Sequence, residues 1–300
     1  MKCGRGRTAG LLSRVLVLAG TGLLATTGVA SAARPTGPIA GWRQISHTVV
    51  DNAVSGEGIT TVRAPGQEPA LLYRAGQTIP QALKDEGWGH VGDPDSRRGY
   101  VYDAYQNTRD IPAPNKMYQV TSPTGQTTEY LHTLTPEEPA ANANAQVAVT
   151  PDGRWLTSGA LGQLDRLFVF PTPGENPRAP RAGGELPLSG RILLDHPIRN
   201  AQGCDFVTET RLLCATSDPD NDLYATNFQL LQIDLTHAVR AGDTRARVKS
   251  LGQVPLVSTC PGLFVTEGVD YDVPTATLRV EVVPPSPCNT GTDVYAFRRG

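Results

Sequence analysis

With 27 Lys and Arg set against 29 Asp and Glu over 300 residues, the chain is almost neutral, and neither sign is gathered into a run. That excludes the basic stripe needed to track a phosphate backbone, so nucleic acid is not an expected partner. Gly (31) and Pro (25) are frequent and spread along the chain, which suits many short elements joined by tight turns rather than long helices.

The chain opens with an export signal. Lys2, Arg5, Arg7 and Arg14 form a basic region, residues 15–29 are apolar but broken by Gly and Thr, and Ala30-Ser31-Ala32 is an A-x-A cleavage signature. Residues 1–32 are therefore predicted to be removed, leaving one domain over 33–300. The apolar stretch is short for a bilayer span, and no later segment replaces it. Cys3 precedes that stretch and is not a lipid-attachment cysteine, and no adjacent Arg pair marks a twin-arginine route. The expected location is extracellular or cell-wall associated, with no membrane attachment after cleavage.

Beyond the signal the pattern is that of short strands. Residues 59–62 and 71–73 are strand-like, 79–87 reads as a short helix, and 100–102, 117–120 and 128–131 are strands again. A polar loop with a helical turn is expected over 135–144. Strands follow at 154–158, 166–170, 211–216 and 228–235. Residues 234–242 read as a helix with Thr236 as N-cap and Gly242 as its stop. Strands at 248–251, 277–282 and 294–297 complete the chain. Many are nearly continuous in apolar character, as expected of strands covered on both faces.

A weak repeat organises these strands. Gly92-Asp93-Pro94-Asp95 leads to Gly99-Tyr100-Val101-Tyr102, and Val149-Thr150-Pro151-Asp152-Gly153 leads to Arg154-Trp155-Leu156. Gly203-Cys204-Asp205-Phe206 leads to Arg211-Leu212-Leu213-Cys214, and Gly268-Val269-Asp270-Tyr271-Asp272 leads to Thr277-Leu278-Arg279-Val280. Each unit reads as a small-residue strand, an acidic turn and an apolar strand. A spacing of roughly fifty to sixty residues is near the blade period of kelch-like rings. The expected fold is all-β, a β-propeller of about five blades, counting an earlier unit within 41–74. The last unit runs out of chain after Phe297, so an N-terminal strand is expected to complete it. A β-sandwich or an open multi-sheet protein is the alternative.

Four cysteines follow the signal, an even count that reads as two disulfides in an exported chain. Of the three pairings, Cys204–Cys214 across a hairpin and Cys260–Cys288 near the C-terminus are favoured. No C-x-x-C or H-x-x-x-H spacing supports zinc.

In a ring of blades the first strand of each lines the axis. His90, Asp93, Asp205, Glu267 and Asp270 are therefore the candidate channel residues. Asp93, Asp205 and Asp270 would bind Ca²⁺ or another divalent cation through oxygen. With His90 added, the set would support metal-assisted hydrolysis. The opposing reading is that such carboxylates cap backbone N–H groups, and it is preferred for Asp95, Asp152 and Asp272. Asp218-Pro219-Asp220-Asn221-Asp222 begins like a Ca²⁺ loop, but Leu223 stands where the turn Gly belongs and Gln229 where the bidentate Glu belongs. No G-x-S-x-G elbow occurs. His132 and His196 read as structural, His47 and His237 as exposed, and Trp42, Trp88 and Trp155 as core.

Segments 89–95, 200–206 and 267–272 resemble those of exported, propeller-like proteins of high-GC Gram-positive bacteria that have no assigned activity. The resemblance covers nearly all of 33–300 and implies export and fold rather than chemistry. The leading expectation is a secreted binding or scaffold propeller whose partner is a cell-wall polymer, a glycan or a secreted protein. The alternative is a metal-dependent hydrolase of phosphate esters or similar bonds. A part in a larger envelope assembly is a third class.

Overall fold

A computed structural model describes residues 39–108, 115–138 and 144–300. The predicted signal over 1–32 and most of the polar loop beyond Glu138 lie outside the described residues. Strand β1 (Trp42–Asp51) comes first, followed by a hairpin, β2 (Gly58–Val62) and β3 (Ala70–Arg74). Helix α1 (Gln81–Glu86) stops at Gly87, whose φ of +104° few residues but glycine adopt. The next unit begins with β4 (Trp88–Val91) and β5 (Asp95–Arg97), two halves of one inner strand separated at Pro94. Both pair with β6 (Tyr100–Asn107), and β7 (Asn115–Thr121) and β8 (Thr127–Thr133) continue the antiparallel meander.

The third unit is β9 (Gln146–Val149), β10 (Trp155–Gly159), β11 (Gln163–Pro171) and, after a detour, β13 (Gly190–Arg199). In the detour lies β12 (Gly184–Glu185), which pairs in parallel with β8 and straps this unit to the one before. The fourth is β14 (Ala201–Thr208), β15 (Arg211–Ser217), β16 (Phe228–Leu235) and β17 (Thr244–Gln253). The fifth is β18 (Val265–Asp272), β19 (Thr277–Val283) and β20 (Gly291–Arg299), and β1 pairs with β20 as its outermost strand.

The inner strands meet in a closed cycle: β2 with β5, β5 with β9, β9 with β14, β14 with β18, and β18 with β2. Five units around one axis, the last closed by the first strand of the chain, make a five-bladed β-propeller. No sandwich has that cycle. Among the described residues the first blade has only two strands, and blades three and four are fused where β13 pairs in parallel with β17.

The core lies between blades. On β15, Leu212 and Cys214 join one apolar cluster while Leu213 and Ala215 join another. The strand is thus covered on both faces, which accounts for its continuous apolar run. Trp42, Trp88 and Trp155 are buried. Both expected disulfides are present, Cys204–Cys214 and Cys260–Cys288.

Two expectations are corrected. Residues 234–242 form no helix: Asp234 and Leu235 stay in β16, paired with Arg247 and Ala246, and the Thr236 N–H goes to the Arg245 carbonyl. Extending an existing ladder outweighs nucleating an isolated two-turn helix, and Val239 is buried against the cluster between blades three and four. Second, Asp95 and Asp272, read as turn caps, stand in β5 and β18 rather than in turns. Asp152 does sit in a turn, where it accepts the Arg154 N–H.

Candidate axial site

A parallel bridge between Asp93 and Gln146 joins the inner strands of blades two and three. The carboxyl groups of the inner strands lie at different heights along the axis. At mid-height sits Asp93, fully buried. It accepts the N–H of Ile59 from blade one at 3.0 Å and of Val269 from blade five at 3.1 Å. Its own backbone bonds Ala145 and Val147 of blade three. Glycines make this crowding possible: a Cβ on Gly58 or Gly203 would stand 2.7 Å from an Asp93 carboxylate oxygen. Burial pushes the Asp93 carboxyl well above its usual range, and the two N–H bonds only partly oppose that.

Toward the C-terminal ends of the inner strands lies a cavity of about 430 Å³ to which every blade contributes, through Thr61, Asp95, Pro151, Asp205 and Asp270 among others. Asp95 accepts the Val149 N–H of the next blade at 2.6 Å and the Ser96 N–H at 2.5 Å. Asp205 accepts the Tyr271 N–H of its next blade at 2.5 Å. Asp270 takes the N–H and hydroxyl of Thr61 and a 2.6 Å ion pair from Arg279. Asp272 is held by Arg63 through two 2.7 Å bonds. Each carboxylate is thus a clamp between neighbouring blades as well as a wall of the cavity.

Charge separates the four. Asp270 and Asp272 each face an arginine. Asp95 and Asp205 have no ion-pair partner among the described residues. Burial lifts Asp95 to about 7, its backbone bonds and the more distant Arg97 opposing this in part. Burial lifts Asp205 well above its usual range, and the charges of Asp95 and Asp270 add to that. Burial and the neighbouring carboxylates together hold Asp205 toward its protonated form.

His90 and Glu267 lie toward the other end of the channel. His90 Nε2 is 3.3 Å from Glu57. Glu267 is pushed up by burial and then by Glu57 and Glu281. Of the five expected channel residues, the fold brings Asp205 and Asp270 together, sets Asp93 between the ends and places His90 and Glu267 beyond it. Among the described residues no three His, Cys, Asp or Glu side chains are grouped to hold a metal. In the 218–222 loop, Arg199 occupies the centre, 2.6 Å from Asp218 and 2.5 Å from Asp222. His132 is structural, bonded to Leu186 O and Glu138.

Sequence reasoning placed Asp95 among the turn caps, yet it faces the cavity. Its signal was the two-residue step from Asp93, which along an extended inner strand returns a side chain to the same side. Thr61 and Arg279 gave no signal, since each is an ordinary residue of an alternating strand.

No protein-family model and no curated protein sequence matches the chain. Among solved structures, a gluconolactonase of Xanthomonas campestris is similar at a TM-score of 0.36 and 10% identity, over 69% of this chain. The chain spans 57% of that structure's length.

Proposed function

We propose that the protein is an exported binding propeller that holds a small, hydroxyl-rich ligand, such as one unit of a glycan, in the axial cavity. One observation carries this: a cavity fed by all five blades, and lined by Arg63, Arg97 and Arg98 as well as by aspartates, contains two fixed carboxyls, Asp95 and Asp205, that have no ion-pair partner among the described residues. Uncompensated buried carboxyls burden a fold, and their convergence in a cleft marks a functional site. Carboxyl oxygens anchored by backbone N–H groups still accept hydroxyls, and in their protonated form they donate to them.

The two disulfides and the export signature fit a protein working outside the cell. A cation-centred hydrolase built on His90, Asp93, Asp205 and Asp270 is less well supported, because Asp93 bonds two backbone N–H groups and His90 lies toward the opposite end.

Titration of the secreted protein with glucose, galactose, mannose, xylose and N-acetylglucosamine and their disaccharides, followed by NMR, tests the reading. At least one sugar is expected to bind, and Asp95→Asn with Asp205→Asn is expected to weaken it tenfold or more. Saturable binding that survives both substitutions, or no binding to any of these sugars, overturns it.

A further inference from the structure

We infer that the free edge of β1 is a self-association surface: two copies of the chain pair β1 against β1 in an antiparallel, two-fold symmetric dimer centred on Val49. This is independent of the axial cavity. An outer strand carries backbone N–H and C=O groups with no ladder partner on its far side, and such an edge pairs with another chain unless it is covered. The fold covers three of its five outer edges. Strand β12 lies along β8 of blade two, and β13 and β17 close blades three and four against each other. Two remain open among the described residues: the five-residue β3 of blade one and the ten-residue β1 of blade five.

The longer edge is poorly guarded. Strand β1 contains no Lys or Pro, the residues that commonly block an edge. Its one break in register, at Ile45, leaves Ser46 to Asp51 in continuous register with β20. Arg43 to Val49 are all exposed, and Val49 is 65% exposed. Val49 also lines a groove of about 720 Å³ together with Val257, itself 60% exposed. An open edge beside an apolar groove is suited to adding a strand, the main chain supplying affinity and the groove receiving side chains.

The residues of β1 select a second copy as that strand. Directly opposed residues of an antiparallel pair share one face of the sheet, so a two-fold axis passes where a residue meets its own copy. An axis at His47 sets two basic rings against each other. An axis at Thr48 sets Val49 opposite His47 and Asp51 opposite Gln44. An axis at Val49 sets the most exposed apolar side chain of the strand against itself and Thr48 opposite Val50. It also sets His47 of each copy opposite Asp51 of the other, a basic ring against a carboxylate at both ends of the contact. His47 is already fixed in place, 2.7 Å from Asp293 and stacked on Tyr295 with ring centroids 4.6 Å apart. Charge and exposure therefore favour the register centred on Val49.

Sedimentation equilibrium of the secreted protein, from low-micromolar to submillimolar concentration, tests the inference. The average mass is expected to rise toward twice that of the monomer. Val49→Lys and Val49→Glu each place like charges at the axis, and each is expected to weaken association roughly tenfold or more. An equimolar mixture of the two variants is expected to restore it as a mixed dimer. Leu71→Lys, the same kind of change on the β3 edge, is expected to leave it unaltered. Because Val49 and Leu71 are exposed, all three variants are expected to keep the thermal transition of the unaltered protein. A monomer at every concentration overturns the inference and leaves the edge to a different protein. A dimer that survives both Val49 changes, one that is lost in Leu71→Lys instead, or a mixture that stays monomeric also overturns it.

Discussion

Asp93 shows how one side chain can hold a ring of blades. Its two oxygens satisfy the N–H groups of Ile59 and Val269 on different blades. Asp93→Ala would leave both buried donors unpaired, at about 1–3 kcal/mol each. A loss of about 2–6 kcal/mol is expected in urea unfolding, with Asp93→Asn milder because it keeps one acceptor; equal losses would refute the clamp. Lys116 offers a second residue-scale case. It is fully buried, 2.6 Å from Glu138 and about 5 Å from the rings of Phe168 and Phe170. Removing one member of such a pair costs about 3–5 kcal/mol, whereas replacing both by neutral groups of similar size is far less costly. Lys116→Met is therefore expected to destabilise strongly and Lys116→Met with Glu138→Gln much less. A double-mutant cycle with additive losses would show the pair to be uncoupled.

At the scale of elements, closure depends on β1, the strand farthest in sequence from its partner β20. The second disulfide works in the same region: Cys260, ahead of β18, and Cys288, ahead of β20, close a loop across a separation of 28 residues that contains β18 and β19. Chain-entropy reasoning gives about 3–4 kcal/mol for a loop of that size. Replacing both cysteines by alanine is expected to lower stability by about that much while leaving far-ultraviolet circular dichroism unchanged; an unchanged denaturation midpoint would count against the estimate. Much of this architecture was legible in the sequence. The recurring small-residue and acidic segments marked four inner strands, and the truncated last unit called for an N-terminal partner. Alternation over residues 277–282 gave β19 directly. The height of each carboxyl along the axis was not legible, because it depends on stagger between strands far apart in sequence. That stagger separates His90 and Glu267 from Asp205 and Asp270. The apparent helix at 234–242 misled because its capping residues are local, while the ladder of β16 with β17 that overrode them is not.

For the whole molecule, the crowded axis sets a pH dependence whose direction follows from the buried acids. Burial lifts Asp95 and Glu281 to about 7, and it raises Asp93, Asp205 and Glu267 as well. Such a group keeps its proton in the folded chain at pH values where the unfolded chain has lost it. Its contribution is complete below the unfolded value near 4 and is lost as pH rises through the folded value. Stability is therefore expected to fall between about pH 4 and pH 7, each such group contributing about 1.4 kcal/mol per pH unit within its own interval. Glu138 works the other way. Burial raises it, but His132 and Lys116 outweigh that and hold it at about 2, so its contribution is present above about pH 4.5 and is lost as pH falls toward 2. The two effects together place maximum stability in mildly acidic solution. Thermal unfolding from pH 3 to 8 should give the highest midpoint near pH 4–5 and a lower one at pH 8. In Asp95→Asn the descent toward pH 8 should be shallower, because asparagine cannot ionise on the axis. A midpoint that rises steadily from pH 5 to 8 would mean that these carboxyls are ionised in the folded ring.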